Sequence, residues 1–425
     1  MVDVAIIGAG AAGLAAARAL SGTGLRTVVL EAKGRIGGRA HTEMLRPGVP
    51  FDHGCYWLHS GGLNPFAAIA DRYGFAIRRG HGRRRPPQVF QGGSWASAAE
   101  AVAWHRFETR TSHAIDAVGE RGLDVPVSGL VDPASRWVPL YAAWTTATSG
   151  VSPEEASTLD FARYRDTGEN WPVRDGFGAL VARLGHGPPI RLETPVERID
   201  WSGATPRLET PRGTITARAV IVTVSTAVLA SGRIRFSPEL PPSKRDAISG
   251  LPLGMANKVA LALRPNAPGV PQDASAHVLA CPTEPIHFQL RPFGRDLVVG
   301  HIGGAFATAL ERAGEAATID FAIERLCAMF GARFSRHVIA ARATAWQSDE
   351  WVGGGYSAAR PGEADRRGDL AAPLGRRVLF AGEATSREFY STAHGAYLSG
   401  VAAARRAVEI LEPSQASARS TGPGQ

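Results

Sequence analysis

Val2-Asp3-Val4-Ala5-Ile6-Ile7-Gly8-Ala9-Gly10-Ala11-Ala12-Gly13-Leu14-Ala15-Ala16-Ala17-Arg18-Ala19-Leu20 opens the chain and decides its fold. The apolar run over residues 2–7 predicts a buried parallel strand. Residues 12–20 predict a helix with Leu14, Ala17 and Leu20 on one face. Thr27-Val28-Val29-Leu30 predicts a second strand, completing a βαβ unit. Gly8, Gly10 and Gly13 stand between strand and helix. The first permits a tight turn, the second lets backbone approach a pyrophosphate, and the third lets helix and strand pack closely. The helix then turns its positive dipole end toward the phosphates. Glu31 closes the second strand, where its carboxylate can accept hydrogen bonds from ribose hydroxyls. Strand, glycines, helix, strand and acid in register predict a bound dinucleotide.

The next stretch separates a flavin from a nicotinamide. Glu31-Ala32-Lys33-Gly34-Arg35-Ile36-Gly37-Gly38-Arg39 carries a second glycine pair followed by arginine. It resembles the flavin amine oxidase family and its FAD-binding relatives, whose loop here passes beside the FAD pyrophosphate. Glycines allow backbone approach, and arginine offers donors to anionic oxygens. The resemblance continues along the chain. Asp52-His53-Gly54-Cys55-Tyr56-Trp57-Leu58-His59, with Asn64-Pro65, is similar to the family's flavin-lining segment. Asp175-Gly176-Phe177-Gly178 and Thr194-Pro195-Val196 resemble its central hairpin region, where the backbone of the valine meets the adenine. Phe380-Ala381-Gly382-Glu383 and His394-Gly395-Ala396 resemble its last FAD motif. That motif implies a glutamate, Glu383, on the ribityl–pyrophosphate side. It also implies N–H groups near Thr392 and Ala393 at the flavin's pyrimidine edge, where donors stabilise negative charge.

The resemblance also implies the chemistry. Leu253-Gly254-Met255-Ala256-Asn257-Lys258-Val259 is similar to the segment with the family's active-site lysine, which holds a water against flavin N5. Trp346, Trp351 and Gly353-Gly354-Gly355-Tyr356-Ser357 resemble one wall of its aromatic substrate cage, with Tyr356 as the wall. The implied reaction moves a hydride from an amine Cα–H to the flavin. It leaves an imine for hydrolysis, and oxygen reoxidises the flavin to give hydrogen peroxide. Three positions depart from the family's pattern. Gly355 replaces the cysteine that tethers FAD in monoamine oxidases, so FAD is expected to be noncovalent. Thr392 replaces the second cage aromatic, as in the lysine-specific histone demethylases, although this chain has no room for their helical tower. Cys55 stands where small residues are usual. An L-amino acid oxidase, which would need an arginine against the substrate carboxylate, is an alternative. A C–C desaturase is disfavoured by the lysine segment. A redox-silent FAD-stabilised module is an alternative of another class, which Lys258 and Tyr356 argue against.

The expected fold is α/β: a Rossmann-like FAD-binding domain interleaved with an α+β substrate-binding domain. The first takes residues 1–63, 171–234 and 346–412; the second takes 64–170, read as mainly helical, and 235–345; residues 413–425 form a disordered tail. The 425 residues exceed what one core usually serves. No apolar run is long enough to cross a membrane, and no signal peptide is evident at Met1. Cys55, Cys281 and Cys327 share no metal-ligand spacing and read as reduced thiols in a cytoplasmic protein, with no metal. The net charge of +8 is almost wholly arginine, since Lys33, Lys244 and Lys258 are the only lysines. Its densest run, Arg83-Arg84-Arg85, lacks interleaved aromatics, so a solvated surface is expected rather than nucleic acid. The expected partners are a small-molecule amine and molecular oxygen; a homodimer is left open.

Overall fold

Strand Val2–Ile7 lies mid-sheet in the computed structural model, which describes residues 1–80, 88–265, 267–279, 281 and 283–411. The Arg83-Arg84-Arg85 run and the expected tail lie outside the described residues. Val2–Ile7 pairs in parallel with Thr27–Leu30 on one side and with the second half of Gly213–Val222 on the other. Ile190–Arg191 and Val378–Phe380 continue the parallel sheet at its two margins. Both faces are covered, so the central strand reads as a continuous apolar run. Val4 and Ile6 pack under the helices Ala11–Leu20 and Ala393–Leu411. Ala5 and Ile7 pack on the other side, with Leu229, Ile248 and Leu370. Small residues let the two long helices approach: a Cβ on Gly400 would stand 2.1 Å from the Ala12 carbonyl oxygen.

The first half of Gly213–Val222 leaves this sheet as an antiparallel hairpin with Arg207–Thr210, extended by Arg198–Asp200 and Arg235–Ser237. The stretch from Ile190 to Trp201 holds two separate strands. Between them Glu193 takes φ +50° and Thr194-Pro195 interrupts pairing.

A second, seven-stranded sheet runs in the order Val338–Ala343, Ala256–Leu263, Leu297–Gly303, Pro285–Leu290, Ala274–Leu279, Gln88–Gln91, Ser94–Trp95. One face is apolar, with Val259, Leu261, Val278 and Phe288 in a buried core. The segment read as mainly helical does carry helices Pro65–Tyr73, Ala98–Glu120, Val138–Ser149 and Thr158–Arg163. It also donates Gln88–Gln91, which pairs in parallel with Ala274–Leu279. Only Val89 and Phe90 of that strand are buried, too few for a period of two to show in the sequence. Among the described residues, no helix is long and apolar enough to cross a membrane.

Candidate active site

A cavity of about 1060 Å³ runs from the Gly8–Gly10 turn to the polar face of the seven-stranded sheet. Gly8 holds φ +101°, a value that glycine alone adopts freely. A Cβ on Gly13 would sit 1.9 Å from the Gly8 oxygen, which explains the close packing of helix on strand. A Cβ on Gly10 would meet no protein atom within 4 Å, because Gly10 borders the cavity itself. The second glycine loop docks here: Gly37 donates to the Ala9 carbonyl at 2.8 Å, and Gly38 takes φ +58° beside Gly10. Glu31 is buried and accepts from the Ala9 N–H at 2.7 Å and the Lys33 N–H at 2.9 Å. The Lys33 ammonium pairs with Asp349. Val196 also lines this end.

Arg39 reaches across to the C-terminal motif. Its guanidinium donates to the Gly355 carbonyl at 2.7 Å and to Glu383 at 3.0 Å. Glu383, beside Gly382, also accepts from the Ser357 N–H and hydroxyl at 3.1 and 2.6 Å and from the Ser391 N–H at 2.8 Å. Burial raises its pKa, but Arg39, the Ser357 hydroxyl and Arg367 outweigh burial and hold it below the usual value. Arg367 is fully buried behind it. It grips Asp160 through both carboxylate oxygens at 2.6 and 2.7 Å, and donates to Ser357 Oγ at 2.9 Å. Asp160 and Arg367 escaped the sequence reading.

At the other end, the Lys258 Nζ donates to the Asp52 carbonyl at 3.0 Å and to the Gly54 carbonyl. Burial lowers its pKa to about 8, against the opposing charge of Asp52. The Asp52 carboxylate meanwhile accepts from the Phe177 and Gly178 N–H groups at 2.9 and 3.0 Å, capping the start of Phe177–Ala182. The segments Asp52–His59 and Asp175-Gly176-Phe177-Gly178 are thus one assembly. Tyr56 sits with its ring centroid 5.8 Å from Lys258 Nζ, and Trp57 stacks on His301 at 5.7 Å. Trp346 is buried, its indole N–H donating to the His53 carbonyl at 3.3 Å.

Tyr356 lines the cavity, and its hydroxyl donates to the Ala147 carbonyl at 3.4 Å. Thr392 lines it too, but its hydroxyl caps a helix. It accepts from the Gly395 N–H at 3.0 Å and donates to the Phe389 carbonyl at 2.6 Å, and Ala393 begins the helix. His59 was read within its motif without a role. Its Nδ1 bonds to Asn170 Oδ1, and burial lowers its pKa, which favours the neutral ring. His287 and Gln289 also line the cavity, two positions apart on one strand. That period-two polar spacing beside Ile286, Phe288 and Leu290 is the sequence signal that would have found them.

The model of the family described as "Flavin containing amine oxidoreductase" matches residues 11–94 and 112–408. The chain belongs to this family. Among its relatives, Polyamine oxidase 4 of Oryza sativa subsp. japonica is 30% identical, the match covering 95% of this chain and 88% of that one. Probable polyamine oxidase 4 of Arabidopsis thaliana is 29% identical, with coverages of 95% and 86%. Human Lysine-specific histone demethylase 2 is 28% identical over 94% of this chain, which spans 52% of that protein's length. The solved cyclohexylamine oxidase from Brevibacterium oxydans IH-35A shares the fold, with a TM-score of 0.79, 23% identity and coverages of 97% and 99%. The flavin amine oxidoreductase fold is therefore the α/β architecture expected from the opening residues.

Proposed function

We propose that the protein is an FAD-dependent amine oxidase that holds FAD noncovalently and passes electrons to oxygen. One observation carries the reading: a single cavity has the glycine cradle at one end and Lys258 with Tyr356 at the other. The cradle suits a dinucleotide, since the open space beside Gly10 and the two docked glycine loops leave backbone room for a pyrophosphate. Gly355 offers no thiol for a covalent tether, and burial pushes the Cys55 thiol up, keeping it protonated.

When bound, FAD supplies the acceptor for the hydride from the amine Cα–H and is reoxidised by oxygen, with release of hydrogen peroxide. The residues do the rest. Apolar walls favour the neutral amine over the ammonium. The Tyr356 ring gives it an apolar wall to lie against. Lys258 keeps its proton below pH about 8, and two carbonyls fix its position. Thr392 leaves the cage wider than an aromatic would. Arg78, which lines the cavity, is paired with Asp273 at 2.6 Å, which weakens the case for a substrate carboxylate there.

The test is an absorbance spectrum of the purified protein, then anaerobic addition of monoamines, polyamines and L-amino acids. Yellow protein that releases its flavin on denaturation, bleaches with amines and makes peroxide in air is the expected result. A colourless protein able to bind no added FAD would end the proposal.

A further inference from the structure

Successive carbonyls of one cavity-lining segment are gripped by two side chains. The Lys258 ammonium takes those of Asp52, at 3.0 Å, and Gly54, and the Trp346 indole N–H takes that of His53 between them, at 3.3 Å. Lys258, Trp346, His53 and Gly54 all line the cavity. The two gripping residues are themselves held from behind. The Lys258 N–H donates to Thr344 Oγ1 at 2.8 Å, the Thr344 hydroxyl to Asn257 Oδ1 at 3.1 Å, and Asn257 Nδ2 to Glu311 Oε2 at 2.7 Å. The Trp346 N–H joins the chain at Asn257 Oδ1, at 3.3 Å. Every donor points toward Glu311, and hydrogen bonds that run in one direction polarise one another. The network also fixes the Asn257 amide, because a flipped one would set its NH2 against the Trp346 N–H.

Glu311 stands on the helix Gly304–Ala313 and does not line the cavity. Its carboxylate also accepts from the Gln347 N–H at 3.3 Å and the Ser348 N–H at 2.6 Å. Bonds from N–H groups to an ionised acceptor are roughly twice as strong as neutral ones. The ladder between Ala256–Leu263 and Val338–Ala343 stops at the Val259–Ala343 pair. The turn that carries Trp346 is therefore placed by this carboxylate rather than by the sheet.

We infer that Glu311 is a positioning residue: it sets Lys258 and Trp346, and through them residues 52–54, against the cofactor space, and so governs flavin reoxidation from outside the cavity. The inference rests on the amine oxidase reading above and adds to it a residue that meets neither cofactor nor substrate.

The experiment uses the full chain loaded with FAD and photoreduced without air in the presence of EDTA. Oxygen is then added, and stopped flow follows the return of flavin absorbance. Glu311→Gln keeps the shape but sets an amide NH2 against at least one of the N–H donors from Asn257, Gln347 and Ser348. It is expected to keep the native flavin content and to reoxidise on the order of tenfold more slowly at neutral pH, since a small misplacement at a reacting site is costly. The native fall in rate as pH rises through about 8 is expected to flatten in this variant, because a displaced Lys258 contributes less whether or not it is protonated. Asn257→Asp sets a second carboxylate against Glu311 and is expected to slow reoxidation too. Combining Asn257→Asp with Glu311→Gln restores a donor facing an acceptor, and is expected to recover about threefold over Asn257→Asp alone. A Glu311→Gln protein that keeps the native rate or the native pH profile overturns the inference. So does one whose slower rate is matched by loss of flavin, or a double variant no faster than Asn257→Asp. Should Glu311→Gln not fold, Thr344→Val cuts the chain between Lys258 and Asn257 and leaves Glu311 in place; a slowed rate supports the inference and a native rate overturns it. Photoreduction needs no amine. If no amine bleaches the native flavin, the oxidase reading fails while the reoxidation rates still decide Glu311.

Discussion

At the glycine end of the cavity, Glu31 and Glu383 are both buried and both held by N–H donors from the chain itself. At the sheet end, Gln289 is as deeply buried and has no partner on either polar atom. The contrast separates two kinds of buried polar group. One is completed by the chain itself; the other is closed in without a partner, so its polar atoms cost stability that an apolar side chain of the same shape would not.

The comparison breaks most sharply at the glycines. Gly13→Val places side-chain atoms against the Gly8 backbone, with the Cβ 1.9 Å from its oxygen, and is expected to yield no soluble folded protein. Gly10→Val meets only the cavity. It is expected to keep a native circular dichroism spectrum while losing flavin absorbance by tenfold or more; retained absorbance would show that the cradle is not the cofactor site. Next is the ion pair behind Glu383. Asp160→Asn leaves the Arg367 charge buried without its partner and is expected to cost about 3–5 kcal/mol in urea unfolding. Lys258→Met should slow flavin reoxidation by oxygen on the order of 10²-fold at unchanged flavin content. In the native protein the Lys258 proton is present below pH about 8 and lost above it, so reoxidation should fall as pH rises through 8. The variant should show no such fall in stopped-flow traces. Tyr356→Leu removes an aromatic face from the cavity wall and should lower kcat/KM by about 2- to 30-fold, equivalent to about 0.5–2 kcal/mol. The smallest effect belongs to Thr392→Ala. Loss of the helix cap should cost about 1 kcal/mol of stability with the flavin spectrum unchanged.

How much of this was legible depended on where each demand originates. Gly8, Gly13 and Gly38 answer local backbone requirements, and local requirements leave local signs. Glu383, Lys258 and Tyr356 were legible through family resemblance, and all three line the cavity. Their supports were not. Lys258 is anchored by the carbonyls of Asp52 and Gly54, and a carbonyl is common to every residue type. Asp160 and Arg367 meet across 207 residues of sequence, and neither lies in a recognised motif. Thr392 was legible as a position but not as a cap, because Gly395 stands where a capping-box glutamate would have signalled one. Gln88–Gln91 was missed because its strand character comes from pairing with Ala274–Leu279, not from its own pattern.

The parallel sheet also sets a timetable for biosynthesis. Val4 can find its partner Ala219 only after 215 further residues have been made, and Val220 must then wait for Val378. At about 5–20 residues per second, the N-terminal strand waits about 10–40 s for its second neighbour. During that interval the nascent chain exposes an apolar strand edge that invites mispairing. Glu383 follows Glu31 by 352 residues, so a cradle that draws on both can close only once the whole stretch between them has been made.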